Sequence, residues 1–258
     1  MLFDSLGHAT VDSSWLDSQL DASFARYSDE LKINNFIGGA VVGLAGKNGY
    51  RHLDFLDLAR NYENLYPIAG YDPLKEKFSE IEDLKKRGFY GIKIHPRFSN
   101  IDFLIHKKEL IECFQICADL ELPILLCTFN FCNAQNYQSS DPLYQIADIL
   151  KKTPATKVMM VHGGVHDLMK YCDFARFNEN ILIDLSLVMM KYPGSSLDHD
   201  IKYLFKNFDR KISVGSDYPE YSLKNVSKRF EEFSQGIPIE KKENIANKNI
   251  ANFLNLSF

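Results

Sequence analysis

The sequence lacks the features that mark several large classes of protein. It has five cysteines, an odd number, with no Cys-x-x-Cys pair. That argues against a disulfide framework and against the common zinc modules. There is no apolar run of about 18 residues, so no membrane-spanning helix is expected. Lysine and arginine (30) do not outnumber aspartate and glutamate (34), and the net charge is −4. No nucleic-acid or membrane partner is therefore expected, although a small basic pocket can sit inside an acidic shell. Neither Gly-x-Gly-x-x-Gly nor a P-loop occurs, which removes the usual dinucleotide and nucleoside-triphosphate cradles. Met1-Leu2-Phe3-Asp4 has no basic stretch and no long apolar core, so no signal peptide is expected. A reducing cytoplasm is the expected location for the free thiols.

The organising signal is alternation. Short runs rich in Val, Ile and Leu recur at 2–4, 40–44, 66–70, 90–94, 123–127, 157–161, 181–185 and 212–215. Continuous apolar runs of this length fit parallel strands covered on both faces. Between them lie stretches of helical period at 22–31, 51–61, 73–87, 107–120, 143–152, 167–177 and 198–208, with a last one at 238–256. Leu74, Phe78, Ile81 and Leu84 form one such apolar stripe. Cys113 and Cys117 stand one turn apart in another and read as buried thiols. Eight strands and eight helices in 258 residues predict one (β/α)8 TIM barrel spanning residues 1–258. No linker or composition break divides the chain.

Reactive groups of such barrels sit where strands run into the following loops. Strand one leads to His8, strand four to Lys93, His95 and Arg97, and strand five to Cys127 and Thr128. Strand six leads to His162, strand seven to Asp184 and Ser186, and strand eight to Asp217. Lys93 and His95 are two residues apart and share a face of an extended strand. A lone histidine at a strand end is commonly a satisfied polar cap. Three at one rim together with a carboxylate point to a site. Asp184 reads equally well as a brace for a loop backbone, and Arg97 as a loop ion pair. Tyr218 and Glu220 are expected in a loop near substrate, as are the aromatic residues Phe129, Phe131 and Tyr137.

These strand ends resemble the amidohydrolase-related family of the amidohydrolase superfamily. The matching segments are Asp4-Ser5-Leu6-Gly7-His8, Gly91-Ile92-Lys93-Ile94-His95-Pro96, His162-Gly163-Gly164 and Gly215-Ser216-Asp217-Tyr218-Pro219. The closing stretch 243–254 is similar to the family's last helix. The resemblance implies a hydrolase acting on a C–O or C–N bond, with a non-oxidative decarboxylase as the alternative. It implies Asp217 and His162 as the catalytic pair. It further implies a divalent metal, zinc by preference, on His8, Cys127 and Asp217. Two positions depart from the pattern: Leu6 stands where the first histidine of strand one belongs, and Cys127 stands where strand five carries a histidine. Leucine ligates nothing, whereas a thiolate can bind zinc. The departures also admit a degenerate, non-catalytic barrel that only binds a metabolite. Lys93, His95 and Arg97 form a cationic edge suited to a small anionic substrate, the expected partner; a homodimer is left open.

Overall fold

The computed structural model describes residues 1–129 and 141–257. Eight strands follow one another around a ring: β1 (Leu2–Gly7), β2 (Phe36–Val42), β3 (Leu65–Gly70), β4 (Ile92–Ile94), β5 (Ile124–Cys127), β6 (Val158–Val161), β7 (Ile181–Asp184) and β8 (Ile212–Ser213). Each pairs in parallel with its sequence neighbours. Hydrogen bonds Ser5 N to Val214 O (3.0 Å), Asp217 N to Leu6 O (2.9 Å) and His8 N to Tyr218 O (2.8 Å) bring the chain beyond β8 back onto β1. This is the α/β barrel that the alternation predicts.

Helices wrap the ring: α1 (Phe24–Ile33), α2 (His52–Ala59), α3 (Ser79–Arg87), α4 (Lys107–Asp119), α5 (Pro142–Leu150), α6 (Leu168–Arg176), α7 (Ser196–Asn207) and α8 (Leu223–Phe233). α4 buries Leu110, Cys113, Phe114 and Cys117, a helical stripe that accounts for both thiols. Strand side chains alternate between two packing layers. Ile92, Ile94, Ile124, Leu126, Val158, Met160, Ile181 and Ile183 face the helices. Phe3, Leu6, Ala40, Val42, Ile68, Leu125, Met159, Val161 and Leu182 fill the interior. Ile250, Phe253 and Leu254 join that interior cluster and plug the end of the barrel where the strands begin. Chemistry is thereby confined to the other end.

Two expectations need correction. The eighth barrel helix is α8, which the sequence reading passed over; its Leu223, Val226 and Phe233 are buried. The stretch at 238–256 is helical as expected, in the pieces Ile239–Glu243, Asn244–Lys248 and Asn249–Leu254, but it plugs the barrel instead of flanking it. α3 also begins at Ser79 and not at 73, because Asp72 and Glu76 form a local turn. Asp72 accepts from Leu74 N (3.1 Å) and Glu76 accepts from Asp72 N (2.6 Å). Among the described residues no helix is long and apolar enough to cross a membrane.

The seam between β8 and β1 is tied by one carboxylate. Asp4 Oδ1 accepts from Ser216 N (2.7 Å) and Leu6 N (3.3 Å). Its Oδ2 accepts from Tyr27 Oη (2.8 Å) and Ser216 Oγ (2.5 Å). Asp4 is fully buried. Burial pushes its carboxyl up to about 7 against the pull of these four donors. A carboxyl raised in the fold and ordinary in the unfolded chain, near 4, holds its proton longer when folded. Its contribution is therefore present at low pH and lost as pH rises toward and through 7. Urea unfolding of wild type and Asp4→Asn, compared from about pH 5 to 8, should show the wild type losing a few kcal/mol more than the variant across that window. Parallel pH profiles would show that Asp4 does not carry this linkage.

Candidate active site

The inward layer, continued by one more step, leaves the apolar core and becomes polar. On β4 the residues alternating with outward Ile92 and Ile94 are Lys93 and His95. On β5 the residue after inward Leu125 on the same face is Cys127. Lys93 is buried, and its Nζ has no hydrogen-bond partner. Strand pairing sets Cys127 opposite Val161, next to His162, and one step beyond the Ile94–Leu126 pair, beside His95, so the sulfur lies in the field of both imidazoles. His8 Nδ1 donates to Val42 O (2.8 Å), which turns Nε2 toward Asp217 Oδ1 at 3.5 Å. Trp15 stacks on His8 (centroids 5.3 Å apart) and donates from Nε1 to Glu220 Oε1 (2.6 Å).

His162 and Asp217 reach the mouth through left-handed backbone, with φ of 66° and 55°. Such conformations cost a non-glycine residue about 1 kcal/mol or more and concentrate at functional sites. The turn is possible because Gly163 and Gly164 follow, both also left-handed (φ 52° and 71°). A side chain at Gly164 would run into the Tyr171 ring at 2.3 Å. Freed from the ladder, His162 N donates to Asp184 Oδ2 (3.2 Å). Ser186 Oγ donates to the same carboxylate oxygen and lies 3.0 Å from His162 Nδ1. Ser5 Oγ donates to Asp184 Oδ1 (2.6 Å).

The buried charges set one another's protonation. Burial alone would push Asp217 up, but His162, His8 and Lys93 hold it well below the usual carboxylate range. Burial would push His162 down, yet Asp217 and Cys127 hold its imidazole above the ordinary value. Burial pushes Lys93 and His95 down. For Cys127, burial works toward the thiol and is outweighed by His95, His162 and Lys93, which hold it well below the usual thiol range.

Six residues singled out from the sequence therefore lie around one mouth: His8, Lys93, His95, Cys127, His162 and Asp217. Arg97 is exposed at the rim, its guanidinium over the rings of Phe98 (5.3 Å) and Phe129 (5.0 Å). Phe129 stands edge-on to His162 at 6.1 Å; Phe131 and Tyr137 lie outside the described residues. Tyr218 is buried and donates to Asp21 O (2.9 Å), which ties it to the N-terminal loop and not to the mouth. Sequence reasoning missed the bracing of His162 by Ser186 and the contact of Trp15 with His8. Asp184 and Ser186 were visible as the end of β7; nothing in the sequence marked Trp15.

The family model described as Amidohydrolase matches residues 17–256. No curated protein matches the sequence. Among solved structures, a probable 2-pyrone-4,6-dicarboxylic acid hydrolase of Acinetobacter baumannii, with citric acid bound, is 19% identical with a TM-score of 0.71, and 99% of each chain is covered. An amidohydrolase of Burkholderia multivorans with bound Zn is 11% identical with a TM-score of 0.74, and 100% of each chain is covered. The 5-carboxyvanillate decarboxylase of Sphingomonas paucimobilis is 12% identical with a TM-score of 0.68, and 99% of each chain is covered. At these identities the likeness establishes the fold alone.

The residues at this mouth do not fit a metal on the expected ligand set. His8 and Asp217 face each other, but Cys127 turns to the two imidazoles, and the three ligand atoms do not gather within 4.8 Å of one another. Leu6, where a ligand would stand, is fully buried in the interior layer. The buried Lys93 side chain already shares the field of Cys127 and Asp217. Among the described residues the one group close enough to hold a metal is His52, Glu76 and Glu80, which lies on α2 and around the start of α3. There His52 Nε2 already pairs with Glu76 Oε2 at 2.6 Å. Protein purified without chelators and analysed by plasma emission should carry well under one zinc per chain. A full equivalent that disappears in His8→Ala would place a metal at the mouth after all.

Proposed function

The chain belongs to the amidohydrolase family, and we propose that it hydrolyses a C–O or C–N bond in a small anionic metabolite, a lactone, ester or amide. The observation that carries this reading is the buried Lys93 amino group with no hydrogen-bond partner, beside an Asp217 carboxylate held ionised. Burying a polar group without a hydrogen bond is costly, and an anionic group of the substrate, or the oxyanion that develops on its carbonyl, supplies the missing partner.

Each residue then has a task. Asp217 accepts a proton from the attacking water. His162, held as an imidazolium by Asp217 and Cys127, gives a proton to the departing oxygen or nitrogen. Lys93 and His95 face the carbonyl oxygen. Arg97 at the rim offers the planar fork that suits a carboxylate. Citric acid bound in the Acinetobacter relative is consistent with an anion pocket on this barrel. A decarboxylase would use many of the same groups, and the Sphingomonas relative is one; the products separate the two.

A panel of carboxylated lactones, esters and amides, with carboxylated phenols alongside, should yield ring-opened or cleaved acids by mass spectrometry and no carbon dioxide. Asp217→Asn should lower kcat by about a hundredfold or more. Carbon dioxide release from the phenols with the lactones untouched would replace this reading with the decarboxylase. For the active substrate, Arg97→Ala should raise KM several-fold with little change in kcat, and an unchanged KM would remove Arg97 from binding.

A further inference from the structure

Neighbouring groups fix the tautomers of the two imidazoles beside Cys127. Asp184 accepts on Oδ2 from Ser186 Oγ, so the Ser186 hydroxyl hydrogen is committed to that carboxylate. Ser186 Oγ can then only accept from His162 Nδ1, 3.0 Å away, and Ser186 O, 3.2 Å from the same nitrogen, is also only an acceptor. His162 therefore carries hydrogen on Nδ1. This leaves Nε2 to take the Cys127 proton, which makes the ring the imidazolium described above. His95 is oriented the opposite way. Its Nδ1 accepts from Phe98 N (3.4 Å), so its hydrogen is on Nε2, the nitrogen left to donate to a Cys127 thiolate beside it. One imidazole takes the thiol proton and the other donates to the resulting thiolate. The Lys93 amino group, without a hydrogen-bond partner, lies in the same field.

This is the arrangement of an activated nucleophile: a thiol, a base within hydrogen-bond reach, and a third group that fixes the base's tautomer. The inward parity of β5 sends the sulfur toward the mouth, whereas Cys113, Cys117 and Cys172 are buried among the helices. We propose that Cys127 attacks the substrate carbonyl and forms a covalent thioester that water then cleaves. This rests on the hydrolase reading above and adds a covalent intermediate to it.

The atoms balance without another reactant. The Cys127 thiolate, its proton already on His162 Nε2, forms the C–S bond and the carbonyl oxygen takes the electron pair, facing Lys93 Nζ and His95 Nε2–H. The oxyanion collapses, the C–O or C–N bond breaks, and the leaving alkoxide or amine takes the proton from His162. Water next attacks the thioester and gives its proton to Asp217. The C–S bond breaks, and the sulfur leaves as thiolate. Asp217 passes its proton through the solvent to His162, which restores the starting imidazolium. Ser186 and Asp184 touch no substrate in this scheme; they are positioning residues for His162.

The test uses the full chain in a Cys132→Ser background, with 4-nitrophenyl acetate as the probe. In Asp217→Asn the second step should slow. A stoichiometric burst of nitrophenolate should then leave one acetyl group on the peptide bearing Cys127, released by hydroxylamine. Cys127→Ala and Cys127→Ser should show neither, with circular dichroism confirming their fold. His162→Asn should slow acylation by about a hundredfold. Ser186→Ala should slow it too, and Ser186→Thr, which restores the hydroxyl, should recover it.

A folded Asp217→Asn protein that takes up no acetyl on Cys127, or a Cys127→Ala chain that hydrolyses its substrate at the wild-type rate, would overturn the covalent step and leave the hydrolase reading standing. An acylated Cys127 in a protein that hydrolyses none of the panel would do the reverse.

Discussion

The β8–β1 seam is the constraint on which this barrel depends. β8 is only two residues long, too short for a strand ladder to hold the ring shut. The Asp4 carboxylate takes over that task. It gathers the backbone and hydroxyl of Ser216, the backbone of Leu6 and the Tyr27 hydroxyl onto two oxygens. Ser216 and Leu6 flank the two halves of the site. Asp217 follows Ser216 directly, and His8 follows Leu6 by two residues. The 3.5 Å approach of His8 to Asp217 is thus set by a carboxylate on the far side of the strand, in the layer facing α1. Four donors on one buried carboxylate are a firm geometric clamp, and their combined pull offsets part of its desolvation.

The mouth itself is an exercise in buried charge. Lys93, Cys127, His162, Asp184 and Asp217 are all buried, and ions in such surroundings persist only when paired and hydrogen-bonded. Asp184 is satisfied by Ser5, Ser186 and the His162 backbone. Asp217 has His8 and His162. Cys127 has two imidazoles. Lys93 alone lacks a hydrogen-bond partner. The fold has already removed water from that amino group, so an anion that reaches it meets a donor needing no reorganisation. Preorganisation of this kind gives a site its strength, and it favours the developing oxyanion over the neutral carbonyl.

Much of this was legible in the sequence, and what was not has a physical cause. Strands buried on both faces write themselves as apolar runs, so the barrel and its strand ends could be read from period alone. Lys93 and His95 share a face because strand periodicity is two, and that also held in the structure. α8 escaped because Leu223, Val226, Phe230 and Phe233 directly follow a strand-end motif, and its polar loop character was extended over them. The direction of Cys127 could not be foreseen. A residue's place on a strand tells which layer it enters but not which neighbour its sulfur chooses. That choice depends on Ser186 and Phe98 fixing the two imidazole tautomers from separate loops. Asp4 looked like the opening of a strand-one motif. Its role as a seam clamp depends on Ser216, over two hundred residues away.

The two departures from the family pattern, Leu6 and Cys127, are best understood together. A metal site at this mouth would draw its ligands from strands one, five and eight and would bring its own positive charge. With leucine at position 6 the strand-one ligand pair is halved, and the interior layer gains an apolar contact instead. With cysteine at 127 the strand-five donor becomes one that two imidazoles and an amino group can polarise. Donors at the mouth then come from the His162 imidazolium and the Lys93 amino group, held in place by the fold. Those donors cannot bind and lower the pKa of water as a Lewis acid does. They can stabilise a thiolate and an oxyanion. A barrel with this charge pattern is suited to activating a nucleophile of its own, and the residue placed for that work is the cysteine that occupies the former ligand position.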